Sequence, residues 1–182
     1  MKKTKEDITL FKDKKPKDKV QKKVIIYTDG ACLGNPGPGG YGVVLRYGKH
    51  FKELSKGFRH TTNNRMEILA AIEALRALKS DKRLHVVIHS DSQLLVKSIN
   101  EGWAEKWRMN NWKRNRKDKA LNADLWAMLL LEMEKHDVDF KWVKGHADIP
   151  DNERCDILAK DASESRHLLI DDVYESENPK KG

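Results

Sequence analysis

Cysteine is scarce in this chain: Cys32 and Cys155 are the only two in 182 residues, and they form no CxxC pair. No secretory apolar segment accompanies them, so a disulfide-built secreted domain is excluded and a reduced, cytoplasmic setting is expected. Long apolar runs are also missing. The longest falls far short of a membrane span, which removes a membrane as partner. No internal repeat of useful length is present. Arginine is absent from residues 1–23, which hold four acids, and this argues against a mitochondrial targeting peptide. What remains is a chain long enough for one domain with a proper core, plus tails.

Charge, by contrast, is plentiful and unevenly placed. Lys and Arg number 36 against 28 Asp and Glu, a formal charge of +8. Residues 1–23 carry ten Lys and four acids (+6), and residues 103–122 carry seven bases and two acids (+5), so the rest sums to 8 − 6 − 5 = −3. A mildly acidic body with two basic patches suggests a polyanionic partner held at defined places, although charge runs are commonly just solvated surface. The first patch is nearly free of apolar side chains and reads as a flexible arm that cannot offset its ordering entropy. The second interleaves Trp103, Trp107 and Trp112 with Lys106, Arg108, Lys113, Arg114, Arg116, Lys117 and Lys119. It reads as a protruding short helix and loop.

The chain is organised around Tyr27–Gly42, where a β-branched run meets a loop holding six of the eleven glycines. Val24–Thr28 has the composition of a strand buried on both faces, with Asp29 at its end. A carboxylate there needs a partner, and a bound metal is one; an Asp-Gly hairpin turn is an equally ordinary reading. Alternation then predicts strands over Tyr41–Tyr47 and Phe51–Phe58, completing a meander. Thr61-Thr62-Asn63-Asn64 offers N-caps for a helix over about Arg65–Lys79. Leu84–His89 reads as a strand, followed by Ser90-Asp91-Ser92 and a short helix to about Asn100. A right-handed crossover makes this strand parallel to the first, so Asp29 and Asp91 are expected at carboxyl ends of parallel strands. A helix from Asn122 or Asp124 to about Lys135, a strand over Val138–Val143, a loop through Lys144-Gly145-His146-Ala147 and a helix over about Asn152–Ser163 follow. The tail from residue 164, net −2, is expected to be largely disordered, above all past Tyr174.

Taken singly, the chemically interesting acids all have plain structural readings. At about 100° per residue Glu67 lies opposite Arg76 and in line with Ala71, Ala74 and Leu78, so it faces the apolar side, where a salt bridge or a metal would have to hold it. Asp91 fits an N-cap, Asp156 fits the first turns of a helix, and His146 fits a surface loop. As a set they point elsewhere. Four acids at strand ends or helix starts, in a protein whose positive charge lies apart from them, suit a hard cation such as Mg²⁺ better than zinc.

Tyr27–Gly42, Thr61-Thr62-Asn63-Asn64-Arg65-Met66-Glu67, Ser90-Asp91-Ser92-Gln93, and Trp142-Val143-Lys144-Gly145-His146-Ala147 with Asn152-Glu153-Arg154-Cys155-Asp156 closely resemble bacterial-type ribonuclease HI. The resemblance covers about residues 24–163. It implies an α/β fold with a five-stranded mixed sheet in the order 3-2-1-4-5, strand 2 antiparallel, flanked by helices. It also implies endonucleolytic hydrolysis of the RNA strand of RNA/DNA hybrids, leaving 5′-phosphate and 3′-hydroxyl ends, by a monomer with little sequence preference. The family's metal-binding acids fall on Asp29, Glu67, Asp91 and Asp156, and its mobile-loop histidine on His146. Its contacts along the hybrid fall on Cys32, Asn35, Asn63, Asn64 and Gln93, with Thr62 beside them. Its basic protrusion falls on the Trp/Lys segment, where Trp107, Trp112, Lys113, Arg114, Lys117 and Lys119 are the expected DNA-strand contacts. Trp126 and Trp142 are expected in the core. Ala31 departs from the Ser of many members, and the Lys-rich arm does not match the hybrid-binding domain of eukaryotic ones.

Two Mg²⁺ ions about 4 Å apart, with Mn²⁺ as a substitute, would serve such a reaction by acidifying water and stabilising the leaving oxygen. Side-chain amides suit reading 2′-hydroxyls without reading bases. A hybrid-binding module without activity and an integrase- or resolvase-type transferase of similar architecture are the competing readings.

Overall fold

The computed structural model describes residues 23–179; the Lys-rich arm lies almost wholly outside them. Five strands, β1 (Val24–Cys32), β2 (Gly37–Tyr47), β3 (His50–Thr61), β4 (His85–Ser90) and β5 (Asp137–Trp142), form one sheet in the order β3-β2-β1-β4-β5. β2 runs antiparallel to both β1 and β3, while β4 lies parallel to β1 and to β5. The helices are α1 (Asn63–Arg76), α2 (Gln93–Asn100), α3 (Trp103–Met109), α4 (Ala123–Met133), α5 (Pro150–Ser163) and α6 (Asp172–Glu177). The mixed sheet and its strand order match the expectation.

One face of the sheet carries the main core. Ile26, Val43, Val86, Ile88 and Phe140 meet Ile68, Ile72 and Leu75 of α1, Leu95 of α2, and Trp126 and Leu129 of α4. The period-2 burial of the strands and the period-3.6 burial of α1 both terminate in this layer. The other face receives α5. There β2 offers no side chain at Gly40, and a Cβ at that position would lie 2.6 Å from the Ala159 carbonyl oxygen. This close approach corrects the expected loop: β2 already begins at Gly37, so most of the glycines belong to the strand, where backbone meets backbone.

Caps fix where the helices start. Thr62 has extended backbone and its Oγ1 accepts from the Arg65 N–H, so α1 starts two residues earlier than expected. Ser92, not Asp91, caps α2 by accepting from the Leu95 N–H, which frees the Asp91 side chain. α5 begins at Pro150 in the first turn, leaving Asp156 as its seventh residue and beyond the reach of a first-turn dipole effect.

Two expectations are corrected. Trp126 is buried, but Trp142 is 49% exposed, because β5 is an edge strand and its last residue lies past the core. The tail is ordered as far as α6. Leu169 exchanges backbone hydrogen bonds with Gly57 and Arg59 of β3, Arg59 pairs with Glu175, and Asp171 reaches into the protein. An acidic segment with little apolar periodicity is held here by specific cationic partners.

Candidate active site

Thr28 and Ser90 are the last register partners of the parallel β1–β4 pair, and both are fully buried. Asp29 and Asp91 follow them directly. Adjacent parallel strands are about 4.8 Å apart, so the two carboxylates emerge side by side at the carboxyl end of the sheet. β1 continues to Cys32, so Asp29 is a strand residue and not the corner of a turn.

α1 delivers the third acid. Its first turn crosses β1 at Gly30, where a Cβ would lie 2.6 Å from the Glu67 nitrogen. Glu67 therefore sits against the Asp29 carboxylate, and one ligand oxygen from each of Asp29, Glu67 and Asp91 lies within 4.8 Å of the others. Asp29 is 7% exposed and Glu67 5%. The Gly30 N–H donates to Asp29 Oδ1 at 2.8 Å, and Glu67 Oε2 is buried with no hydrogen-bond partner. Among the described residues, no cationic side chain pairs with any of the three, so the salt bridge that the position of Glu67 allowed for is not what holds it.

This crowding shows in the acidities. Burial, reinforced by the Asp91 and Asp156 charges, pushes Asp29 up to about 7. Burial, with Asp29 and Asp91 adding, holds Glu67 well above the usual carboxylate range. A site that resists ionisation, contains only oxygen donors and leaves one oxygen orphaned is suited to a hard divalent cation.

The remaining predicted residues fall into three groups. Asp156 faces the cluster closely enough to raise Asp29, yet its Oδ2 accepts from Lys160 Nζ at 2.6 Å, so it stands outside the three-acid group. His146 is exposed in the β5–α5 loop at φ 52°. That loop touches the site through Gly145, where a Cβ would lie 2.8 Å from Asp91 Oδ2.

Cys32, Asn35, Thr62 and Asn63 form an edge where the end of β1 and the loop after it meet the start of α1. Asn35 Oδ1 accepts from the Asn63 N–H at 3.1 Å, and Cys32 Sγ lies against the carbonyls of Gly37 and Thr61. Gln93 opens α2 on the other side of Asp91, exposed next to Trp142. Sequence reasoning missed Trp142, whose Nε1 donates to the Asp91 carbonyl at 3.1 Å.

Asn64, the residue after Asn63, lines a cleft of about 390 Å³ together with Trp103, Trp107, Arg114, Asn122 and Trp126. Trp107 stacks edge-on against Trp126 at 5.9 Å, and Trp107 and Trp112 pack their inner faces on the core. Lys113 and Lys119 pair across the loop that follows α3, with Lys117 between them. Among the described residues, none of Lys106, Lys113, Arg116, Lys117 or Lys119 has an ion-pair partner, while Arg114 faces Asp118 at 3.6 Å. A row of uncompensated cations beside indole faces matches an electrostatic footprint for a phosphate backbone.

Comparison with known proteins agrees with this geometry. Residues 21–164 match the family model described as RNase H. The chain is 62% identical over 154 residues to the ribonuclease H of Syntrophus aciditrophicus, covering 85% of this chain and 88% of that protein. It is 57% identical over 150 residues to that of Desulforamulus reducens, covering 82% and 93%. Among solved structures, LC9-RNase H1 superimposes with a TM-score of 0.72 at 31% identity, covering 88% of this chain and 82% of that one. LC11-RNase H1 in complex with an RNA/DNA hybrid gives 0.59 at 26% identity, covering 78% and 96%. By sequence and fold, the chain belongs to the RNase H family.

Proposed function

We propose that this protein is a divalent-metal-dependent endoribonuclease that hydrolyses the RNA strand of RNA/DNA hybrids and leaves 5′-phosphate and 3′-hydroxyl ends. The observation that carries the reading is the trio Asp29, Glu67 and Asp91, gathered within 4.8 Å and without a cationic partner among the described residues. Asp29, central to the trio, and Glu67 and Asp91 on either side would hold Mg²⁺, and Asp156 would join them on leaving Lys160. A pair of such ions, when bound, acidifies the attacking water and offsets charge on the leaving 3′ oxygen.

The protein's own groups do the rest. Burial of Asp29 and Glu67 excludes bulk water from one side of the reacting phosphate. His146, on an exposed loop whose Gly145 abuts Asp91, moves a proton at the edge of the site. The edge formed by Cys32, Asn35, Thr62 and Asn63, with Asn64 and Gln93, presents amide and hydroxyl groups that can both donate to and accept from 2′-hydroxyls. Only an RNA strand offers those hydroxyls, so this edge selects the strand that is cut. The partner DNA strand is gripped through its phosphates by Lys113, Arg114, Lys117 and Lys119, with Trp107 and Trp112 as apolar backing.

Residues 24–163 form the catalytic unit, and the Lys-rich residues 1–22 lie outside the described residues. The protein acts as a cytoplasmic monomer, and no helix among the described residues is long and apolar enough to cross a membrane. Hydrolysis of matched RNA/DNA, RNA/RNA and DNA/DNA duplexes, with and without Mg²⁺, tests the proposal. Cleavage confined to the RNA of the hybrid and dependent on the metal is expected; matched cleavage of DNA/DNA would overturn it.

A further inference from the structure

Arg65 is the third residue of α1 and its side chain is only 4% exposed, yet none of its charge is spent on the acidic cluster two residues away. Its guanidinium is gripped on both edges. Nε and Nη2 donate to Asp171 at 2.6 and 2.8 Å, Nη1 and Nη2 donate to Asp124 at 2.9 and 2.7 Å, and Nη1 also reaches Asn122 Oδ1 at 3.5 Å. All five N–H donors of the fork are thereby used. Asp171 is itself buried and accepts from Thr61 Oγ1 at 2.7 Å, and the Tyr174 ring lies 5.7 Å from the guanidinium carbon.

The four segments tied together here have different places in the site. Arg65 directly follows Asn63 and Asn64 in the first turn of α1, and Thr61 directly precedes Thr62. Asn122 and Asp124 mark the point where the basic protrusion returns to the body through α4. Asp171 belongs to the C-terminal segment. Asn64 and Asn122 line the same cleft. A buried, fully bonded ion network costs desolvation that apolar packing would not, so stability alone is a weak reason for it, whereas two bidentate contacts fix distance and angle.

We infer that Arg65 is a positioning residue for substrate binding. Clamped between Asp124 and Asp171, it sets the spacing between the amide edge at the start of α1 and the basic protrusion, so the two reach the two strands of one hybrid together. The C-terminal segment, through Asp171, is therefore part of the binding apparatus and not only a cover on β3. The inference rests on the hybrid-cleaving function proposed above.

The test is steady-state hydrolysis of an RNA/DNA hybrid by Asp171→Asn and Asp124→Asn, each assayed below its own melting midpoint. KM should rise about fivefold or more while kcat stays within about twofold. In a double-mutant cycle with Asn64→Ala, the KM effect of Asp171→Asn should shrink, because the group it positions is gone. If Asp171→Asn does not fold, Asp124→Asn, which leaves the tail contact intact, carries the same cycle. Unchanged KM in folded variants, a loss confined to kcat, or strict additivity with Asn64→Ala would overturn the inference. Wild-type protein that cleaves no hybrid would count against the function instead, and hybrid affinity measured by fluorescence anisotropy on the same variants would still decide the clamp.

Discussion

Asp29 is buried and ionises against two neighbouring carboxylates, and the metal-free protein should feel this as pH changes. Its ordinary value of 3.8 is raised to about 7, first by burial and then by Asp91 and Asp156. Below about pH 3.8 folded and unfolded chains both keep the proton, and the contribution of the protonated group to stability is fully present. Between there and about pH 7 the unfolded chain has released it and the folded one has not, so this contribution to stability falls as pH rises and is fully lost above about 7. Metal-free Asp29→Asn should therefore melt higher than wild type above pH 7, by at most about 4 kcal/mol of stability, and the gap should close towards pH 4. Calorimetry across that range checks it. Saturating Mg²⁺ should raise the wild-type midpoint and leave Asp29→Asn nearly unmoved. His146 makes a separate prediction: His146→Ala should lower kcat by about 10²-fold if the ring transfers a proton, and an unchanged rate removes it from that role. Much of this residue-level picture was legible in the sequence. The helical phase of Glu67 put it on the apolar side, where it lies. Asp91 was ambiguous because either it or Ser92 could cap α2, and only hydrogen-bond geometry decides between neighbours.

At the scale of elements, local pattern and long-range contact divided the work. The strands, the crossover and the protrusion follow from alternation, composition and handedness. The start of β2 did not, since glycine reads locally as a breaker, and its use at Gly40 depends on α5, more than a hundred residues further along. The ordered tail was hidden for a similar reason: its hold comes from Arg59 and Arg65 in distant elements. Trp142 was assigned to the core by its type, but its strand is an edge strand. For the protrusion, replacing Lys113, Lys117 and Lys119 with Ala should weaken hybrid binding and flatten its dependence on log salt by about 0.7 to 0.9 for each phosphate whose charge is no longer neutralised. Affinities measured across a salt series check this, and an unchanged slope would mean that the segment does not touch the backbone.

Across the whole molecule, the start of α1 joins two features: Asn64 lines a cleft with Arg114 of the protrusion, and Glu67 meets Asp29 and Asp91 at the carboxyl ends of β1 and β4. The sheet order makes this arrangement possible, because β1 and β4 are the adjacent parallel pair at its centre. What the sequence left undetermined is the state of the fourth acid, Asp156, which here pairs with Lys160. If the trio holds the metal on which RNA-strand hydrolysis depends, removing the charge of Asp29 must abolish cleavage. The most direct measurement compares cleavage of an RNA/DNA hybrid by wild type and by Asp29→Asn at saturating Mg²⁺. Wild type should cut the RNA strand, and folded Asp29→Asn, with hybrid affinity retained, should be inactive; cleavage at a comparable rate by Asp29→Asn would contradict the account.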